Sequence, residues 1–502
     1  MKNIILRLLS ITLAALMLVS VTACGGDEEN KDTSDGVVTS SGEGPVSRVP
    51  ADLHYGGGEE VNILASKQYL EEFEPEEGST AIIDSAVVKR NLLIQERLGI
   101  KLNMIWREEA ISGPYQDVIR NMILGGDGVA DIIQGNAYFT AKLASEGMFY
   151  NFNTEDEKNY VSPELDWYNQ SFVKNTAYKN KLYFLVGDAT IGATDRVPVI
   201  FFNEDLLAEW HIDEDIYDKA VNGKWTIEYM KTLIKNVYQE DDNVEGKTSG
   251  DIYGLYFNGG SMCIDAMISA VGINITNTDT NGDITMAWGT PNDVMGFQAI
   301  YKLMYETDGV FTGTVANKTY YGETSAYFAE DAFFDRRAVF ATGMLCAAKN
   351  FALDPEIHFG MLPLPKMSED DEYRTTPQDA FSVLTLPLNI GSRLEIATAT
   401  METLFEYSYK EVRPVYHDVA YKIRYASGAN TALLFDTVIN SIYYEFGTFY
   451  SNAIDNPTHK LRNKLTGTGT TLGSNLSSVT AQYGSAMKQN LKTLLETFDK
   501  NA

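Results

Sequence analysis

Cysteine, histidine and basic residues are scarce in this chain of 502 residues. There are three cysteines and five histidines, and 40 lysines and arginines stand against 69 aspartates and glutamates. Cys24, Cys263 and Cys346 form no CxxC pair, and the histidines at 54, 211, 358, 417 and 459 show no ligand spacing. That excludes the usual structural zinc site, which gathers four such side chains at close spacing. The formal charge of −29 argues against nucleic acid and anionic lipid as partners, since both need a positive surface. HExxH, GxSxG and P-loop motifs are also missing, so no metalloprotease, serine-hydrolase or nucleotide-phosphate chemistry is signalled. No metal and no cofactor is expected. The composition is otherwise that of a soluble globular protein, with 44% hydrophobic and 22% charged residues.

What is present begins at the N-terminus. Lys2 and Arg7 precede an apolar stretch over 8–18, followed by Val21-Thr22-Ala23-Cys24. A cationic start, a short apolar run and a small-residue site make a secretory signal, too short for a spanning helix. The cysteine directly after Val-x-Ala resembles the lipobox of bacterial lipoproteins. The resemblance implies that residues 1–23 are removed and that Cys24 becomes a lipidated N-terminus on the extracellular face of the membrane. Two acyl chains anchor a protein stably where one does so only marginally. The other reading is an ordinary signal peptide with Cys24 cleaved off or left unmodified. Residues 25–58 are rich in Gly, Ser, Asp and Glu and poor in large apolar side chains. Such a segment cannot bury enough surface to offset its ordering entropy, so a disordered tether over 24–58 is expected.

The remainder, 59–502, is too long for one ordinary core and suggests two lobes. Strands are expected at 61–65, 101–106 and 130–133, with helices at 84–98, stopped by Gly99, and at 113–124. Alternation at this spacing predicts βαβ units and a parallel sheet. Ligands sit outside the carboxyl ends of such strands, which places 66–69, 107–109 and 134–139 at a cleft edge. A second series follows: strands at 197–203, 253–257, 338–345, 358–362 and 381–388. Helices are expected at 204–210, from Thr226 as N-cap, and at 264–271, 291–305 and 396–409, before a helix-rich tail over 416–500. Residues 277–283 start like a calcium loop, but Trp288 occupies the position of the bidentate Glu. Asn281-Gly282 between Ile275 and Ile284 reads better as a hairpin turn. The acid pairs Asp241-Asp242 and Asp370-Asp371 read as solvated loops. Cys263 and Cys346 could pair outside the cytoplasm or remain two buried thiols.

The order of segments resembles the family 1 extracellular solute-binding proteins of ABC importers, the carbohydrate-binding lipoproteins of Gram-positive bacteria. The matching pieces are ADIIQG (130–135), LASEGMFYNF (143–152), YFLVGDATIGATDRVPVIFFNEDLL (183–207) and GKWTIEYMKTL (223–233). FDRRAVFATGMLCAA (334–348), HFGMLPLPK (358–366), DAFSVLTLPLN (379–389) and YKIRYASGANTALLFDTV (421–438) follow in the same order. No piece is specific alone; their order behind the lipobox is. The resemblance implies an α/β, two-lobed fold of the periplasmic-binding-protein type II, each lobe a mainly parallel sheet flanked by helices. Lobe 1 would span 59–195 with about 376–415 returning to it, and lobe 2 would span 196–375 with about 416–502 mostly packing on it. Crossovers would lie near 187–198, near 363–380 and after the helix from Ile396, and the lobes would close on ligand by hinge motion.

Sugars are gripped by flat aromatic faces and by acids, amides and arginine that bond hydroxyls. On that chemistry the candidate contacts are Tyr69, Gln134, Asn136 and Tyr138 after first-lobe strands, and Asn258 and Ser261 after a second-lobe strand. Asp188 and Asp195, with Thr194 and Arg196, occupy the implied hinge. Gln378 and Asp379 precede the returning strand, and Tyr444 lies on a late helix beside Tyr443 and Glu445. Tyr138 is expected to face Asn258 and Ser261 across a cleft floored by Asp195. The chain departs from some family members, which carry a tryptophan just after the strand at 338–345. Here no aromatic follows until Phe351, so stacking comes from elsewhere or the ligand differs. The implied function is a non-enzymatic, monomeric, lipid-anchored binder that delivers a carbohydrate, expected to be an oligosaccharide, to ABC permease subunits. The alternatives are a binder of another solute such as a peptide, or a secreted glycoside hydrolase, which would need two carboxylates across a cleft.

Overall fold

The structure, a computed structural model, describes residues 46–75, 82–108, 113–126, 128–212, 215–240, 245–313, 327–417, 429–466 and 476–500. The signal segment, Cys24 and the tether to 45 lie outside the described residues, as do Glu109, Asp241, Asp242 and 421–428. The apolar run after Glu60 forms β1 (Glu59–Ser66), which is buried from Ile63 onward because both of its faces are covered. It pairs in parallel with β2 (Ile100–Arg107), matching Ile63 to Met104, and with β3 (Ile132–Asn136), matching Ile63 to Ile132. Helices Ile82–Leu98 and Gly113–Gly125 make the two crossings, as the alternation predicts. Gly99 ends the first at φ +64, and a Cβ there would lie 2.3 Å from the His54 ring. Only glycine satisfies both conditions.

Residues 47–58, read above as part of a tether, are docked on this lobe. Tyr55 N donates to Leu98 O (2.8 Å) and Gly57 N to Gly99 O (2.7 Å). The Arg97 guanidinium donates to Leu53 O (2.8 Å) and Pro50 O (2.6 Å). The carbonyls at a helix C-terminus are orphan acceptors, and the incoming segment supplies them with donors. Composition gave no sign of that, because the partners are backbone groups.

The second sheet contains β4 (Pro198–Asn203), β5 (Tyr238–Gln239), β6 (Ile252–Asn258), β9 (Val310–Gly313), β10 (Ala338–Met344) and β11 (Phe359–Leu362), with β7 (Thr276–Thr278) and β8 (Ile284–Met286) forming a separate hairpin. Its order is β11-β4-β10-β6-β5, with β9 also on β6. Parallel pairing holds for β6 with β10 and β9, but β4 runs antiparallel to β10 and β11, and β5 to β6. The class is α/β with helices flanking both sheets; the second sheet is mixed where mainly parallel pairing was expected. The reason is topological. β4 carries the chain away from the first sheet, and β10 and β11 run back toward the same edge, with Met344 beside Pro198.

In the β7–β8 turn, Asp279 Oδ1 accepts from Asn281 N (2.8 Å) and Asp283 N (2.9 Å), and Gly282 sits at φ +79. The oxygen-rich run thus serves a hairpin. The chain returns through β12 (Ser382–Thr385), antiparallel to β3 with Ser382 opposite Asn136, and the almost fully buried helix Leu394–Tyr407 covers the first sheet. Cys263 and Cys346 are free thiols, and burial pushes both up to about 12.

Candidate ligand site at the crossovers

The carboxyl ends of β1 and β3 and the start of β12 share one edge of the first sheet. The carboxyl ends of β6, β9 and β10 and the start of β4 share one edge of the second. The chain passes between these edges at 187–197, so both sets of end loops converge on the crossover. The tight turn there depends on Gly187, whose Cβ would lie 2.1 Å from Trp167 O. A cavity of about 420 Å³ opens beside it, walled by Asp166 and Tyr168, by Asp188 and Thr194, and by Arg413, Tyr416 and Tyr444. That volume is within the ordinary range of small-molecule sites.

The cavity walls differ in how far their polar groups are engaged. Burial pushes the Asp188 carboxyl up to about 7; the Arg413 guanidinium, 3.6 Å from Oδ2, pulls it down less strongly. Oδ2 is buried and accepts no hydrogen bond. The Tyr444 ring is held edge-on by Phe172 and Phe381 at 5.1 and 5.5 Å. Tyr168 donates to Glu402 Oε2 (2.5 Å), a carboxyl that burial also pushes up to about 7. Tyr416 donates to Asp195 Oδ1 (2.5 Å), and Lys349 pairs with Asp195 Oδ2 at 2.9 Å. Asp195 therefore joins the crossover to the end of β10 and to the segment after the helix 394–407.

Glu72, which sequence reasoning missed, lies beneath the crossover. Its carboxylate accepts from Ser382 Oγ (2.6 and 2.7 Å), Gln134 Nε2 (2.7 Å) and Gly192 N (2.9 Å). The buried Arg90 donates to Glu72 O (2.6 Å) and to Ser408 Oγ (3.2 Å). The Gln134 amide N–H is thereby engaged on the scaffold, while its buried Oε1 accepts no hydrogen bond, and Tyr69 and Asn136 are engaged by neighbours. Tyr69 donates to Ala380 O (2.6 Å), while Asn136 donates to Tyr69 Oη (3.1 Å) and caps the next helix at Phe139 N (3.3 Å).

On the other flank, Tyr138 donates to Asn456 Oδ1 (2.6 Å) and its backbone N to Asp379 O (3.2 Å). Asp265 on helix Ser261–Ala270 pairs with Arg462 on helix Pro457–Thr466, and both act electrostatically on Tyr138 together with Asp379. Tyr138 therefore stands near the helix that Ser261 begins. Asn258 Oδ1 accepts from Gly260 N (2.9 Å), which shapes the turn into that helix. Gln378 N donates to Arg196 O (2.9 Å), with the Arg196 guanidinium 3.4 Å from Gln378 Oε1. The structure thus brings Asp188, Thr194 and Tyr444 to the cavity and Asp195 alongside it. It gathers Tyr138, Ser261 and Asp379 on the second flank, and spends Tyr69, Gln134 and Asn136 within the first lobe. Tyr443 to Glu445 lie between helices, because Glu445 caps the helix Phe446–Phe449 through Gly447 N (2.8 Å) and Thr448 N (2.7 Å). Arg413, Tyr416, Asp265 and Arg462 were not singled out from sequence; Arg413 and Tyr416 follow the helix 394–407, Asp265 lies on helix Ser261–Ala270 and Arg462 on helix Pro457–Thr466, and only long-range packing distinguishes them from surface residues.

Neither a protein-family profile nor a curated protein sequence matches the chain. Solved structures do. A cyclo/maltodextrin-binding protein complexed with maltotetraose superposes at TM-score 0.52 with 12% identity, covering 88% of this chain and 98% of that one. UspC of M. tuberculosis gives 0.52 and 13%, over 86% of this chain and 100% of its own. An ABC substrate-binding protein from Listeria monocytogenes in complex with cycloalternan gives 0.50 and 12%, over 88% and 99%. The fold is that of the ABC substrate-binding proteins. At such identities the likeness is one of architecture, with near-complete coverage of both chains, and the site must be argued from its own residues.

Proposed function

We propose that this chain is the substrate-binding component of a carbohydrate ABC importer. It captures a sugar, expected to be an oligosaccharide, between its lobes and delivers it to the permease. Cys24 carries the lipid that holds the monomeric protein on the extracellular face of the membrane. The observation that carries this reading is the cavity beside the first crossover, lined by tyrosines and by Asp188, whose Oδ2 accepts no hydrogen bond. Its support comes from a fold whose solved examples include complexes with maltotetraose and cycloalternan. Tyr138, Asp195, Asn258, Ser261, Gln378 and Asp379 remain contact candidates, alongside Asp188 and Tyr444.

The test is a thermal-shift screen of mono- and oligosaccharides against amino acids and peptides, because a ligand that binds only the native state raises the melting temperature. A shift with carbohydrates alone is expected. A shift with peptides alone contradicts the reading, and turnover of an oligosaccharide would indicate a glycoside hydrolase instead. Detergent partitioning of the mature protein, lost in Cys24→Ala, tests the anchor.

A further inference from the structure

Within this carbohydrate-binding reading, on which the inference rests, we propose that the cavity at 187–194 seats one sugar ring. Asp188 accepts its hydroxyls, Arg413 positions the carboxylate, and ring capture is coupled to loss of the Asp188 proton. Three observations carry this. Asp188 lines a cavity of about 420 Å³, and its buried Oδ2 accepts no hydrogen bond. Buried acceptors in native proteins are nearly always satisfied, so an unsatisfied one beside an opening is positioned for a donor from outside. The Arg413 guanidinium stands 3.6 Å from that oxygen, stacked at 5.0 Å over the Tyr409 ring, with Nη1 3.5 Å from Asp166 O. It is thus fixed by partners other than Asp188 and orients the carboxylate without filling its acceptor site. Finally, the Tyr444 ring is buried and borders the same cavity, held edge-on by Phe172. A ligand that both donates and accepts at neighbouring positions fits this pair, and a polyol ring does so.

The charged and titratable groups facing Asp188 are Arg413 and His417 from the segment after the helix 394–407, Tyr416 beside them, Asp166 and Tyr168 from the opposite wall, and Tyr444. Of these, Arg413 opposes and Asp166 reinforces the upward push that burial gives the Asp188 carboxyl, to about 7. Sugar hydroxyls donate more strongly to the carboxylate than to the neutral acid. Binding therefore favours the ionised form and, below about pH 7, releases the Asp188 proton to the buffer.

Calorimetric titration with maltotetraose and cycloalternan tests the inference. The wild type should bind more tightly at about pH 8 than at about pH 6 and release protons on binding, read as an apparent enthalpy that depends on the buffer. Asp188→Asn should weaken binding at least about tenfold at the higher pH, with a flattened pH profile, because a charge-assisted hydrogen bond is lost. Arg413→Lys should retain the pH profile, and Arg413→Gln should move its midpoint to higher pH, because the charge that opposes the upward push on Asp188 is gone. Binding by Asp188→Asn at wild-type strength and slope would overturn the inference while leaving the carbohydrate reading intact. Absence of binding by any carbohydrate in the wild type would overturn both. Should Asp188→Asn fail to fold, the wild-type enthalpy decides: identical values in two buffers of different ionisation heat would overturn the coupling.

Discussion

Glu72 lies beneath the first crossover and Asp188 within it, and burial pushes both carboxyls up to about 7. Their surroundings are opposite. Glu72 is saturated by Ser382, Gln134 and Gly192 N and ties the start of β12, β3 and the crossover into one unit. Asp188 has one ion pair at 3.6 Å and an oxygen with no hydrogen bond. Burial alone thus does not separate a scaffold acid from an available one; the count of satisfied lone pairs does. The same contrast divides the site. Tyr69 and Asn136 share the saturated side with Glu72; Gln134 donates to Glu72 but keeps a buried Oε1 with no hydrogen bond, and Tyr444 borders the cavity with Asp188.

The largest effect should come from Glu72→Leu, which leaves Gln134, Ser382 and Gly192 N without their acceptor and Arg90 without a nearby carboxylate. A loss of about 4 kcal/mol in urea unfolding is expected. A loss under about 1 kcal/mol would mean that the saturated network is not structural. Arg462→Ala comes next, at about 3 kcal/mol, because it strands Asp265, whose pair is only 14–16% exposed. Replacing both partners by apolar residues should recover most of it.

The pH dependence sharpens the comparison. Glu72 moves from an ordinary 4.5 to about 7 on folding, and Asp188 from 3.8 to about 7. The native state then holds protons that the unfolded state has already lost. The stability this gives is full below the ordinary values and is lost as pH rises through about 7. Unfolding at about pH 5 and about pH 8 should differ by on the order of 2 kcal/mol for each of the two carboxyls in favour of the lower pH, and Glu72→Gln should remove its share of that difference. Unfolding free energies that are equal at the two pH values would contradict the assignment. The smallest effect is expected for Gly99→Ala, about 1–2 kcal/mol, from the φ of +64 and the His54 ring, with ligand binding unchanged.

Elements written in local periodicity were legible in the sequence. The helix expected at 291–305 is Pro291–Tyr305, Thr226 caps its helix by accepting from Tyr229 N (3.2 Å), and the 277–283 segment is a hairpin. Crossover acids such as Asp188 could be found because they lie between recognisable strands. The mixed pairing of the second sheet was not legible, since strand direction depends on where the chain enters and leaves the lobe. Nor was the Glu72 network, whose partners are 62, 120 and 310 residues away. Residues such as Gln134 and Asn136 have sugar-binding chemistry and the right address at a strand end, yet their amide N–H groups are consumed by neighbours that only the fold supplies.

The central claim is that the unsaturated acid meets the ligand and the saturated one holds the frame. Calorimetric titration of a carbohydrate identified in the screen, run on wild type, Asp188→Asn and Glu72→Gln in parallel, tests it most directly. The account predicts that Asp188→Asn loses at least about tenfold in affinity while Glu72→Gln stays within about threefold of wild type. Wild-type affinity in Asp188→Asn, with the loss falling on Glu72→Gln instead, would contradict it.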